Sequence, residues 1–215
     1  IGSEVILYSG SPDESAHMYC TGFTGTGAVP SSGSYSDITI ILDEPSAITW
    51  NWAAQPYLYI ESVYGVPDPP RGLTYYTPGT FVEATVPTPF YFGPTIRYVC
   101  TGYDGTGDVG SGSTPYAGFI ISSSCSLTWN WREEYSFVVN NPGGYDSPVP
   151  PAGTHWFPSG SMVSASVTSP AGGMICIGYS GTGSVPYYGA MDSIAVALTA
   201  PSSITWNWTI FDEVV

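Results

Sequence analysis

The sequence predicts an all-β protein made of three small tandem modules, with the first module incomplete. Three observations carry that expectation: one eight-residue motif occurs three times, each occurrence is followed by the same closing strand, and the composition suits strands joined by tight turns. Internal self-similarity at a near-constant spacing marks a repeat architecture.

The motif is Cys20-Thr-Gly-Phe-Thr-Gly-Thr-Gly27, then Cys100-Thr-Gly-Tyr-Asp-Gly-Thr-Gly107, then Cys176-Ile-Gly-Tyr-Ser-Gly-Thr-Gly183. The closing strand is Ile48-Thr-Trp-Asn-Trp52, Leu127-Thr-Trp-Asn-Trp131 and Ile204-Thr-Trp-Asn-Trp208, so the tryptophan pair recurs after 79 and then 77 residues. The unit is fullest in the second and third copies. These open with strand-like runs, Tyr57-Leu-Tyr-Ile-Glu-Ser-Val63 and Tyr135-Ser-Phe-Val-Val139. Shorter runs follow at Leu73-Thr-Tyr-Tyr76 and His155-Trp-Phe157, then at Phe81 to Val86 and Met162 to Val167, each bounded by turn residues. The cysteine strand, the Gly-Thr-Gly loop, a penultimate strand (Ile38 to Leu42, Gly118 to Ile121, Ile194 to Leu198) and the Trp-Asn-Trp strand complete the unit. The expected organisation is residues 1–52 for the incomplete copy, 53–131 and 132–208 for the full ones, and 209–215 as a tail.

Alternation along a strand places Ile48, Trp50 and Trp52 on one face, as it does Leu127, Trp129, Trp131 and Ile204, Trp206, Trp208. Burying an indole removes roughly 150 to 250 Å² from water, so the six tryptophans are expected to anchor the cores and the contacts between copies. A sugar-stacking platform is the functional alternative. The Gly-Thr-Gly loop lacks the lysine and helix of a phosphate cradle and reads as a turn needing positive φ.

Seventeen carboxylates face only Arg71, Arg97 and Arg132, with no lysine, for a net charge of -14. Such a chain cannot neutralise phosphates, which excludes nucleic-acid binding. No apolar run approaches the roughly 20 residues that span a bilayer, and no signal-like region follows Ile1, so the chain reads as mature and soluble. Poverty of lysine with abundant Tyr, Thr, Ser and Gly points to an extracellular or cell-surface location.

The order of a Tyr-Leu-Tyr strand, a Gly-initiated strand, a Gly-aromatic-x-Gly-x-Gly turn and a closing hydrophobic strand resembles the internalin-type B-repeat family of bacterial surface proteins. The resemblance covers nearly the whole chain and implies a compact β-grasp-like or small β-sandwich module strung in tandem on exported proteins, serving attachment or spacing without enzymatic activity. The chain departs from that pattern by ending each unit in Thr-Trp-Asn-Trp, where the family closes on an Ala-x-Phe-like strand.

Catalytic chemistry is not expected. His17 and His155 occupy non-equivalent places and neither is set beside a nucleophile and an orienting group. The acidic pairs Asp13-Glu14, Asp43-Glu44, Glu133-Glu134 and Asp212-Glu213 match no calcium-loop spacing and read as solvating charge, with Asp104 and Asp108 the pair best placed for a cation. No cofactor or metal is expected. Cys20, Cys100 and Cys176 are equivalent, whereas Cys125 is unique and is taken to replace Pro45 and Pro201 of the sister copies. Two readings stand: a Cys100–Cys125 disulfide worth about 3 kcal/mol, or thiols buried as small apolar groups. Asn207-Trp-Thr209 is a glycosylation sequon, and the absence of lysine rules out Lys–Asn isopeptide cross-links.

The first copy begins at a segment equivalent to the Phe81 and Met162 strands, so its two opening strands are missing, while the tail from Thr209 stands where a further copy would open. This complementarity predicts a homopolymer joined head to tail into a filament or fibre, with Ile210, Phe211, Val214 and Val215 donated beside Val5 and Leu7. A monomeric adhesin or carbohydrate-binding segment of a longer surface protein, with glycans as partners, is the alternative.

Overall fold

The computed structural model describes residues 2–210, and within them the protein is strand and turn with no helix. Copy one supplies β1 (Ser3–Tyr8), β2 (Met18–Thr26), β3 (Ser32–Gly33), β4 (Asp37–Leu42) and β5 (Ala47–Ala54). Copy two supplies β6 (Tyr57–Ser62), β7 (Gly72–Tyr75), β8 (Thr80–Thr85), β9 (Phe90–Tyr91), β10 (Ile96–Thr106) and β11 (Tyr116–Ile121). Its closing strand runs without a turn into the opening strand of copy three as β12 (Cys125–Asn140). The remainder are β13 (Gly153–Pro158), β14 (Met162–Ser166), β15 (Met174–Thr182), β16 (Tyr188–Gly189), β17 (Ser193–Ala197) and β18 (Ser202–Ile210).

These residues fall into two compact units, 2–62 with 66–86 and 102–129, and 63–65 with 87–101 and 130–210. Both borders cut β10 and β12 in mid-strand, so the units do not end where the sequence copies end.

In the second unit a five-strand arrangement β13-β12-β18-β15-β16 packs on the antiparallel pair β14–β17. The core between them is Phe137 and Val139 from β12, Val163 and Ala165 from β14, Tyr179 from β15, and Ile204 and Trp206 from β18. Period-two alternation produces that face: in β14 Val163 and Ala165 are buried while Met162 and Ser164 are exposed. The first unit repeats the recipe in β8–β11, where Val82 pairs Phe119 and Ala84 pairs Ala117, and in β1–β4, where Val5 pairs Ile40 and Leu7 pairs Ile38.

Two features explain the repeated motif. The cysteine strand carries a β-bulge: Cys20 pairs Trp52 but Gly22 pairs Asn51, and Cys176 pairs Trp208 but Gly178 pairs Asn207. Gly22, Gly102 and Gly178 sit at φ of 133°, 132° and 121°, and a Cβ on any of them would strike the carbonyl oxygen of Gly33, Gly112 or Gly189. The bulge frees the cysteine amide from the ladder, and a hydroxyl takes it up. Ser11 Oγ, Thr88 Oγ1 and Ser169 Oγ accept from the amides of Cys20, Cys100 and Cys176, each at 2.8 Å. The second feature is parallel pairing of the first and last strands of a copy. Leu58 stands opposite Cys125 and Ile60 opposite Leu127, just as Phe137 stands opposite Ser202 and Val139 opposite Ile204.

Candidate functional site: the open strand edge of copy one

In copies two and three the opening strand seals the free edge of the closing strand. The residues it covers are fully shielded: Leu127 and Ile204 are 0% exposed, and Trp129 and Trp206 are 2% and 1%. Copy one has no strand there. Among the described residues β5 pairs only β2, so the main-chain groups on its other edge are without a strand partner.

The side chains register the difference. Ile48 and Trp50 are half-buried and Trp52 is 37% exposed. In the sister copies the second tryptophan is covered by residues that follow the opening strand. Tyr64 meets Trp131 edge-on at 5.9 Å, Tyr145 meets Trp208 at 5.8 Å, and Asn141 Oδ1 accepts from Trp208 Nε1 at 2.8 Å. Beside β5 an apolar cavity of about 210 Å³ opens between the two sheets of copy one, bordered by Val5, Leu7, Val29, Ile40, Ala47 and Ile48. Only Phe23, Val29 and Ile40 form the buried core there, with Val5, Leu7 and Trp50 packed around them half-covered. The site therefore has the chemistry of a strand acceptor: an unpaired backbone edge above an apolar slot.

The first tryptophan of each pair packs edge-on against the aromatic ring of the motif. The pairs are Trp50 with Phe23 at 5.6 Å, Trp129 with Tyr103 at 5.4 Å and Trp206 with Tyr179 at 5.8 Å. Trp52, Trp131 and Trp208 stand at the rim. Val5 and Leu7 line the cavity, Ile210 is 70% exposed at the end of β18, and Phe211, Val214 and Val215 lie outside the described residues. Asn207 is half-buried in mid-strand opposite the bulge glycine Gly178.

The expected Cys100–Cys125 disulfide is not formed: none of the four cysteines is in a disulfide, and Cys100 and Cys125 are buried. Register explains it. Cys125 aligns with Ser46 and Ser202, not with Pro45 and Pro201, because all three stand two residues before the Ile48, Leu127 and Ile204 position. The motif cysteine faces the second tryptophan of the closing strand, as Cys20 faces Trp52 and Cys176 faces Trp208. That tryptophan is six residues from the Ser46 or Ser202 position, or roughly 20 Å along a strand, far beyond the ~7 Å that a disulfide bridges between Cα atoms. Ser46 and Ser202 instead use their hydroxyls on the glycine turn, accepting from the amides of Ala28 and Ser184 at 2.8 Å. Burial, with a further push from the Asp108 carboxylate, raises the Cys125 thiol to about 11, partly offset by the Val109 amide.

Several carboxylates expected as solvating charge or, for Asp108, as a candidate cation ligand hold the structure instead. Glu134 is 4% exposed and takes Arg97 at 2.7 Å and Arg132 at 2.6 Å. Asp108 Oδ2 accepts from the amides of Ser122 and Ser123 at 2.6 Å, which lowers its pKa and commits it to a turn that Ser184 Oγ serves in copy three. Asp13 accepts from Ser15 Oγ and from the Ala16 amide, which lowers its pKa likewise. Among the described residues no three His, Cys, Asp or Glu side chains converge as metal ligands. His17 lies flat against Tyr75, and His155 Nε2 is 2.6 Å from the Pro151 carbonyl oxygen.

Sequence reasoning missed the hydroxyls of Ser11, Thr88 and Ser169. Each precedes a proline, but they sit 9, 12 and 7 residues before their cysteines, so no fixed spacing exposed them. Comparison with known proteins finds no counterpart: no family model, curated protein or solved structure is similar to this chain.

Proposed function

We propose that this protein is a non-enzymatic extracellular structural subunit that joins copies of itself head to tail, the acceptor being the open edge of β5. The observation that carries the reading is the contrast at equivalent positions: Leu127 and Ile204 are 0% exposed beneath an opening strand, whereas Ile48 is half-exposed beside an apolar cavity. A strand laid on that edge would satisfy main-chain groups of β5 and close the apolar slot beside Ile48.

The donor is the segment after Trp208 of a second copy. Counting six residues from the second tryptophan reaches Leu58, Phe137 and Val214. Leu58 and Phe137 are the first buried apolar residues of their opening strands, opposite Cys125 and Ser202. Val214 would occupy the same place opposite Ser46, and its side chain would enter the slot between Val5, Leu7 and Ile48. This contact is heterologous and does not close on itself, so it grows a filament. Two like subunits of charge -14 repel each other, so assembly accelerates with salt. The lysine-free composition and the repeat order that resembles the internalin-type B-repeat family support a cell-surface or extracellular location.

Electron microscopy of the full chain and of a chain lacking Ile210 to Val215 tests the proposal. Filaments from the first and monomers from the second are expected. Filaments of unchanged subunit spacing from the shortened chain would overturn the tail as donor, and monodisperse monomers from the full chain at high salt would overturn assembly itself.

A further inference from the structure

The outward face of copy two carries a second concave surface, unrelated to the open edge. Alternation along β6 sends Leu58 and Ile60 into the core and Tyr57, Tyr59 and Glu61 to the opposite face. Tyr57 is 38% exposed and Tyr59 39%. With Leu73 from β7 and Thr106 and Ser126 from β10 and β12, they border an open cavity of about 390 Å³, within the size range of small-molecule sites. Thr106 Oγ1 and Ser126 Oγ share a hydrogen bond of 2.8 Å, and the Tyr59 hydroxyl donates to Glu61 Oε1 at 3.1 Å.

Copy three separates what the fold needs from what copy two adds. Its hydroxyl pair is kept, Thr182 Oγ1 to Ser203 Oγ at 2.7 Å. The positions of Tyr57, Tyr59 and Leu73 are taken by Ser136, Val138 and Thr154. The module therefore folds without the aromatic wall, and two large rings left exposed beside a cavity call for an occupant.

We propose that this cleft binds a neutral saccharide. A pyranose ring has an apolar face of C–H groups, which meets the negative π face of an exposed tyrosine, and a rim of hydroxyls, which the lining hydroxyls of Thr106, Ser124 and Ser126 can partner. No cationic side chain borders the cavity, and the chain is strongly acidic, so an anionic ligand would be repelled.

The test is isothermal titration of the full chain with cellohexaose, xylohexaose, laminarihexaose and mannohexaose, and with choline as a cationic probe of the same aromatic wall. At least one oligosaccharide should bind with a Kd of about 1 mM or tighter. Tyr59→Ala should weaken it by about tenfold or more, Tyr57→Ala should weaken it less, and Val138→Ala, the matching position in copy three, should leave it unchanged. Both tyrosines are surface residues, and circular dichroism of each variant verifies that the fold is kept. Absence of binding to all four sugars up to about 10 mM, equal affinity in Tyr59→Ala, or binding of choline alone would each overturn the proposal. The result stands apart from assembly, since a chain that never forms filaments retains this face.

Discussion

Arg97 holds its guanidinium carbon 4.7 Å above the centre of the Trp156 ring while its Nη2 lies 2.7 Å from Glu134 Oε2. One copy earlier in the repeat, His17 takes the place of Arg97 and Tyr75 that of Trp156, with ring centroids 3.6 Å apart and 6° from parallel. Gln55 stands there for Glu134. The two sites thus use one geometry with different chemistry: a guanidinium over an aromatic ring with a buried carboxylate behind it, or an imidazole stacked on a phenol ring with a buried amide.

Acid should therefore weaken the second unit through Glu134. Burial pushes this carboxyl up, but hydrogen bonds from Arg132 and Arg97 and their charges outweigh it, and its pKa in the fold is lowered. A lowered folded pKa contributes stability above the unfolded value, near 4.3, and that contribution is lost as pH falls through the folded value. Asp108 and Asp146 are lowered by backbone amides and act with the same sign. Urea unfolding should give a constant midpoint from neutral pH to about 5, then a fall. Glu134→Gln should lower stability at pH 7 by about 2 kcal/mol, a discounted figure because Arg132 is 49% exposed, and should flatten the acid limb. An unchanged acid limb would contradict this account.

The two tryptophans of a closing strand should differ sharply in cost. Trp129→Ala removes a side chain that is 2% exposed and should destabilise by about 3 to 5 kcal/mol. Trp52→Ala removes one that is 37% exposed and should cost under about 1 kcal/mol in the monomer. In assembled material Trp52→Ala should cost no more than this, because Val214 opposite Ser46 leaves Trp52 six residues further along β5 than the joined segment. Thermal unfolding below and above the assembling concentration reads both.

Thiol reactivity should follow burial. With a thiol reagent at pH 8, Cys100 and Cys125 should stay protected in the fold, Cys125 doubly so with its thiol raised to about 11. Cys20 and Cys176, only half-buried, should react slowly, and all four should react in denaturant without reductant. A pair that stays unreactive in denaturant would reveal a bond where free thiols are expected.

The bulge glycine should tolerate no side chain. Gly178→Ala meets both a φ of 121° and the carbonyl of Gly189, so about 2 kcal/mol or more should be lost. Gly173→Ala, in the open turn before β15 at φ of 76° with no atom near its Cβ position, should cost about 1 kcal/mol. Chemical denaturation of the two variants side by side makes the comparison.

By itself the sequence determined the all-β class and the positive-φ turns at Gly27, Gly107 and Gly183, because those depend on local terms. Period-two alternation, turn residues and the need for positive φ act within a few residues and repeat wherever the motif repeats. Pairing partners depend on the tertiary structure. Whether Cys125 meets Cys100 depends on the register of β12 against β10, and six residues along β12 separate a disulfide from a buried thiol. The same holds for Glu134, which reads as a surface charge until Arg97 from another strand is placed against it. It holds for Ile48 as well, whose sequence context matches Leu127 and Ile204 and whose exposure differs only because a parallel strand from elsewhere in the chain lies on them and not on it.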